Sequence, residues 1–407
     1  MELGSAQFLK GKTILVTGAT GFLGKVFVEK LLRIQSDLKK LYLLLRASDA
    51  DAATKRLHDE IISKDLFKIL RDKWGADFDS FISEKIIAVE GDVSVANLGL
   101  EDENNVEKNK ISNEIDIIVN VAATTNFDER FDIAIGVNTM GALNVLNFAK
   151  TCPKIQALLH VSTAYVCGEA KEDGEVIKEE PFQMGQTLNG VTKLDIEKEK
   201  ILLEKRLQEL EAKNVHGNAL KSAMVDYGIE RANLYGWPNT YAFTKAMGEM
   251  FLSHLKDNIP LIIVRPTIVS STFKEPFPGW IEGFRTIDSV IGGYGKGIVT
   301  YFLGRPKTIV DVVLNLVSKV LCLSFCQDAY RSGHRKVERV IRMAKIYEPY
   351  LLFKAVFNDG NTESLRMATK MEKATGGFDF EFDPLSIDWT DYMINVHIPG
   401  LIKFVMK

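Results

Sequence analysis

The chain has 407 residues, 46% of them hydrophobic and 26% charged, with a formal net charge of −3. That length exceeds an ordinary single core and predicts one large domain with an appended piece, or two domains. Near-balanced charge speaks against a nucleic-acid binder, while four cysteines without a C-x-x-C pair and six scattered histidines speak against a metal site.

The opening stretch, MELGSAQFLKGK, has no apolar signal core and no Arg- and Ser-rich transit pattern, so an intracellular protein in a reducing compartment is expected. From residue 12 short apolar runs follow one another: KTILVTG, KLYLLLR, KIIAVEGD, IDIIVNVAA, ALLHVSTAYV and LIIVRPTIV. They read as strands buried on both faces, separated by helix-period stretches at 25–34, 51–72 and 139–150. That alternation predicts an α/β fold, a doubly wound parallel sheet of the Rossmann type. Residues 193–213, KLDIEKEKILLEKRLQELEAK, read as a solvated amphipathic helix held by i,i+4 charge pairs. Asp311, Asn315 and Lys319 interrupt the apolar stretch 308–328, which favours a buried or interfacial helix over a membrane span.

The first strand ends in TGATGFLG. There Gly18 allows a tight turn, Gly21 lets phosphates approach the backbone, and Gly24 lets the following helix pack on the strand. Backbone N–H groups at the positive end of that helix suit a pyrophosphate. The second strand ends in Arg46, with no acid until Asp49. A cation there takes the 2′-phosphate of NADPH, whereas NAD would call for a carboxylate. Asp92 and Val93 close the third strand beside the adenine, and Ala122 and Ala123 close the fourth with small side chains. The expected cofactor set is therefore Gly18, Thr20, Gly21, Phe22, Leu23, Gly24, Arg46, Asp92, Val93, Ala122, Ala123, Lys245, Pro266 and Thr267.

Tyr241 and Lys245 lie four apart in YAFTK, on one helix face. A lysine ammonium beside a tyrosine is expected to lower the phenol pKa from about 10 and to hold the nicotinamide ribose. Thr163, with Ser162 as the alternative, is placed to hydrogen-bond the substrate oxygen, and Asn138 to anchor a proton-relay water.

These motifs together resemble the extended short-chain dehydrogenase/reductases. The set running in order through NVAATTNFDERFDIAIGVNTMGALNVLNFAK, HVSTAYVCG, NTYAFTKAMGEM and VRPTIV to DPLSIDWTDYMINVHIPGLIKFV resembles more narrowly the plant-type alcohol-forming fatty acyl-CoA reductases. The resemblance runs from about residue 8 to the C-terminus. It implies a long-chain fatty acyl-CoA substrate, NADPH, catalysis by Thr163, Tyr241 and Lys245, and a fatty alcohol product formed through an aldehyde. It also implies a reductase domain over 8–313 followed by a helical C-terminal region over 314–407. A helical insertion around 170–235 would cover the acyl chain. Endoplasmic-reticulum or cytoplasmic location, with peripheral membrane contact, is the corresponding expectation. Against the family pattern, several dozen residues are expected to be missing near 313/314. Two other readings follow: a cofactor-binding remnant without catalysis, and a sugar-nucleotide epimerase or dehydratase, which shares the glycine turn and Y-x-x-x-K.

Overall fold

Six parallel strands carry the fold: β1 (Thr13–Thr17), β2 (Lys40–Leu45), β3 (Ile86–Glu90), β4 (Ile117–Asn120), β5 (Ala157–Val161) and β6 (Leu261–Val264). Their spatial order is β3-β2-β1-β4-β5-β6, so the direction of winding reverses between β1 and β4. The computed structural model describes residues 5–100, 108–170, 172–297, 348, 350, 353–374 and 382–406. The stretch 308–328 and the 313/314 junction lie outside the described residues.

The strands are apolar throughout because both faces are covered. Leu15, Tyr42, Leu44, Val89, Ile118 and Leu158 form one core with Val145, Leu146 and Ala149 of α2 (Gly141–Thr151). The alternate residues Ile14, Val16, Leu41 and Leu43 are just as deeply buried on the other face. The edge strand β6 departs from this pattern, with Ile262 49% and Val264 42% exposed. It also stops short of the predicted run, since Pro266 has no N–H for a sheet ladder.

The predicted helix over 51–72 is broken into Ala50–Leu57, a wide turn over His58–Ile62 and Lys68–Trp74. Ile61, Ile62, Leu66, Phe67 and Leu70 are all buried, and a single straight helix would spread those five over too wide an arc. Residues 193–213 do form a helix, α3 (Ile196–Ala212), but its stabilisation differs from the expectation. Ile196, Leu203 and Leu210, spaced by seven, enter a core with Phe131, Trp237 and Phe243. Its buried Glu199 binds Arg231 of α4 (Gly217–Leu234) at 2.8 Å and 2.6 Å and accepts from the Tyr235 hydroxyl at 2.7 Å. A pair buried between two helices is thus added to the half-exposed Arg206–Glu209 pair along α3.

The chain divides into two compact units. The first comprises Met1–Gly168, Lys178–Thr267 and Phe357–Asp379, and holds the sheet. The second comprises Glu169–Ile177, Ile268–Val356 and Phe380–Lys407. Inside it, His397 sits between Asp288 of α6 (Thr286–Gly295), at 2.8 Å from Nε2, and the Ser271 hydroxyl, at 3.1 Å from Nδ1. The Tyr392 hydroxyl lies 3.0 Å from Ser271 Oγ and 2.7 Å from Ser270 Oγ, and donates to the Ser271 carbonyl at 2.8 Å. The tail motif D-W-x-x-Y-x-x-x-x-H therefore ties the chain's end to residues 270–288. Among the described residues no helix is long and apolar enough to cross a membrane.

Candidate active site

The end of β1 turns through Gly18 at φ +71°, a left-handed conformation that strains any side chain. A Cβ there would also lie 2.5 Å from the Ala122 nitrogen, and one on Gly24 would lie 2.3 Å from the Gly18 carbonyl oxygen. Both glycines are thus required by the close approach of β1, the loop after β4 and α1 (Phe22–Ile34). Gly21 differs: it is exposed, a Cβ on it would meet only the Gly18 oxygen at 3.2 Å, and as N-cap it offers no side chain to the first turn of α1. A helix start without a side-chain cap, reached over a bare backbone, fits a pyrophosphate.

The other expected cofactor residues stand at the carboxyl ends of successive strands. Thr20 and Leu23 are half-buried beside Gly21, and Phe22 is buried. The Arg46 side chain is exposed, and it makes no ion pair among the described residues. Asp49, the next acid along the chain, is the N-cap of Ala50–Leu57, accepting from the Ala52 N–H and the Ser48 hydroxyl at 2.8 Å each. Asp92 holds Ser94 through Oδ1 alone, and Val93 is buried. Ala122 and Ala123 follow β4, with the Ala122 N–H on the Thr17 hydroxyl at 3.3 Å. Pro266, beyond β6, accepts from the Ala164 N–H at 2.9 Å, and Thr267 is exposed beside it.

The expected reacting groups stand just after β5 and on α5 (Thr240–Leu255). The strand predicted through 166 stops at Val161, and Thr163 instead caps a single turn, Ala164–Cys167, by accepting from the Tyr165 N–H at 3.3 Å. That bend presents the Thr163 hydroxyl to the Tyr241 hydroxyl, with which it hydrogen-bonds. Ser162, the alternative, is buried with its hydroxyl unpartnered among the described residues. The Phe127 ring, 5.6 Å from that of Tyr241, adds an apolar wall.

Charge in the site runs against expectation. Burial pushes the Tyr241 phenol up to about 12, opposed by the Thr163 hydrogen bond, with no lowering from Lys245. Burial also pushes Lys245 down to about 8, Glu249 opposing. The lysine nitrogen donates to the Val161 carbonyl at 2.7 Å and lies 3.4 Å from His160 Nε2. Tyr241 is accordingly fully protonated near neutrality, the state a proton donor requires.

Asn138 lies on the helix after β4, as expected. It is buried in a wide helical turn, Ile135–Met140, and its amide donates to the Thr124 carbonyl at 3.1 Å and Thr244 Oγ1 at 3.0 Å. Its oxygen accepts from the Thr124 N–H at 3.0 Å. Those bonds clamp the loop after β4 to α5.

Sequence reasoning missed three linked side chains, the last of which, His160, reaches the lysine. Thr17, Asn120 and His160 form a buried polar row across β1, β4 and β5. Polar residues inside otherwise apolar strands were the available signal. Glu249, fully buried on α5, pairs through both carboxylate oxygens with Arg265, which also donates to the Glu180 carbonyl at 3.0 Å. This accounts for the arginine of VRPTIV: it fixes α5, and with it Tyr241, to the end of β6.

A switch-point glycine turn and a Thr–Tyr–Lys set at the carboxyl edge of a parallel sheet define an oxidoreductase of the extended short-chain type, with a nicotinamide dinucleotide as cofactor. A family model described as male sterility protein, an NAD-binding one, matches residues 16–318, and a second with that description matches 306–407. The chain is 44% identical to the probable fatty acyl-CoA reductase 4 of Arabidopsis thaliana, over 100% of both chains. That alignment has 498 positions, 91 more than this chain's 407 residues. It is 42% identical, again over 100% of both, to the alcohol-forming fatty acyl-CoA reductase of Simmondsia chinensis. Among solved structures, the terminal R domain of the myxalamid PKS-NRPS pathway shares the fold at a TM-score of 0.60 and 18% identity, over 97% of this chain and 91% of that one. The chain belongs to the male sterility protein family, that of the plant fatty acyl-CoA reductases.

Proposed function

We propose that this protein reduces long-chain fatty acyl-CoA to fatty alcohol through an aldehyde, with NADPH, in lipid or wax biosynthesis. The full-length similarity to reductases of that name supports the substrate, and the hydroxyl pair Thr163–Tyr241 supports the chemistry. Held at the glycine turn and Arg46, NADPH would supply hydride. Thr163 and Tyr241 donate hydrogen bonds to the thioester oxygen as negative charge develops on it. Loss of CoA thiol leaves an aldehyde, and a second hydride makes an alkoxide that Tyr241, held protonated by burial, can protonate. In full, one acyl-CoA takes two hydrides and two protons and releases alcohol and CoA thiol.

The observation that carries the choice of NADPH is Arg46, exposed at the end of β2 while Asp49 is occupied in capping. Arg46→Ala should weaken NADPH about tenfold, as for a charge-assisted hydrogen bond, and leave NADH nearly unchanged. Equal losses for both would make Arg46 structural. For the reaction, the chain is incubated with NADPH and acyl-CoAs of graded length and the products are analysed. Fatty alcohol is expected. Cofactor binding without acyl-CoA-dependent oxidation would leave a binding remnant, and turnover of UDP-sugars alone would replace the reading with an epimerase.

A further inference from the structure

We propose that His160 is a positioning residue that governs the protonation of Lys245 by presenting it with an N–H rather than a lone pair. The inference rests on the reading of Tyr241 and Lys245 as the reducing pair. Thr17 is the direct partner of Asn120 across β1 and β4, and Asn120 of His160 across β4 and β5, so the three side chains stand in one row.

Proton positions propagate along that row. Thr17 Oγ1 lies 2.6 Å from Asn120 Oδ1, a length that fits a hydroxyl donating to a carbonyl oxygen. The other end of the amide is then its NH2 group, 2.9 Å from His160 Nδ1, which must accept. A neutral imidazole that accepts at Nδ1 carries its proton on Nε2, the atom 3.4 Å from Lys245 Nζ. An N–H facing an ammonium finds no acceptor, whereas facing a neutral amine it donates to the lone pair. From Thr17 onward the row therefore favours the uncharged amine.

The surroundings agree. His160 is fully buried and held well below its usual pKa, first by burial and then by the Lys245 charge, so it stays neutral. Glu249, one turn further along α5, favours the ammonium, but it is itself bound by Arg265. Tyr241, on the same helix, stays protonated, and the Val161 carbonyl accepts from either form of the lysine. His160 and Glu249 thus pull in opposite directions on one amine.

The test is an NMR titration of the full-length protein carrying lysine labelled with 13C at Cε, with Lys245→Met identifying the resonance. In His160→Gln the amide can turn its oxygen to the ammonium. The midpoint of Lys245 should then rise by about one pH unit, and the alkaline limb of acyl-CoA reduction should rise with it. Thr17→Val, nearly isosteric, releases the amide of Asn120 and should give a smaller rise in the same direction. It serves if His160→Gln fails to fold. An unchanged midpoint in the folded variants overturns the proposal. Since the titration needs no substrate, a shifted midpoint in a chain without acyl-CoA reduction would support His160 while removing the reductase reading.

Discussion

Two buried histidines, one in each compact unit, have similar surroundings and different consequences. His397 lies between a carboxylate and a serine hydroxyl, the connectivity of a nucleophilic triad, yet Ser271 Oγ is shared with Tyr392 and all three groups are buried. Its bonds begin and end within unit two and close on themselves. His160 has a less suggestive partner list, an asparagine and a lysine, but its row ends on Lys245, one helical turn from Tyr241. A histidine's neighbours alone do not make a site. What decides is whether the network terminates on a group that meets substrate, at the carboxyl edge of a parallel sheet.

The comparison breaks most sharply at Tyr241. Tyr241→Phe should lower acyl-CoA-dependent oxidation of NADPH by roughly 10²–10⁴-fold, as for loss of a general acid, with NADPH affinity retained. A parent-like rate would remove the catalytic edge from the first unit altogether.

Lys245→Met should be both inactive and more stable. A buried lysine pushed down to about 8 binds its proton less tightly in the folded chain than in the unfolded one, near 10.4. Folding is therefore penalised below pH 8, and the penalty fades as pH rises from 8 to about 10.4. Removing the amine should gain up to roughly 3 kcal/mol near pH 7 in urea denaturation, and the difference between the two proteins should shrink across that alkaline window. A constant difference would mean that Lys245 does not titrate there. The parent's reduction rate should fall above pH 8 as the ammonium is lost.

In the second unit the effects should concern stability alone. Asp288→Ala removes the partner of a buried histidine and should cost roughly 2–3 kcal/mol, read as an earlier urea transition. Ser271→Ala should cost about 1 kcal/mol and leave kcat/KM for acyl-CoA unchanged. A hundredfold loss of activity in Ser271→Ala would turn the structural reading of this network into a chemical one.

Much was legible in the residues because it obeys local rules. Apolar runs mark strands with both faces buried, the glycine spacing marks a strand turning into a helix, and a four-residue separation puts Tyr241 and Lys245 on one face. Thr163 could be named from its position after β5. Only the tertiary structure shows that the Thr163 hydroxyl meets Tyr241, because the bend after Val161 brings the two together. Asn138 was legible on the helix after β4, but its bonds were not, since the loop carrying Thr124 and the helix carrying Thr244 close around it only in the folded chain. The upward shift at Tyr241 and the downward shift at Lys245 were out of reach for the same reason: reference pKa values travel with the residue, but desolvation belongs to the site. The row Thr17–Asn120–His160 spans 143 residues of sequence and becomes contiguous only through the register of β1, β4 and β5. Sequence by itself determined which elements form and which side chains share an element. Which side chains from different elements meet was decided by strand register and burial, because hydrogen bonding and desolvation act across space and not along the chain.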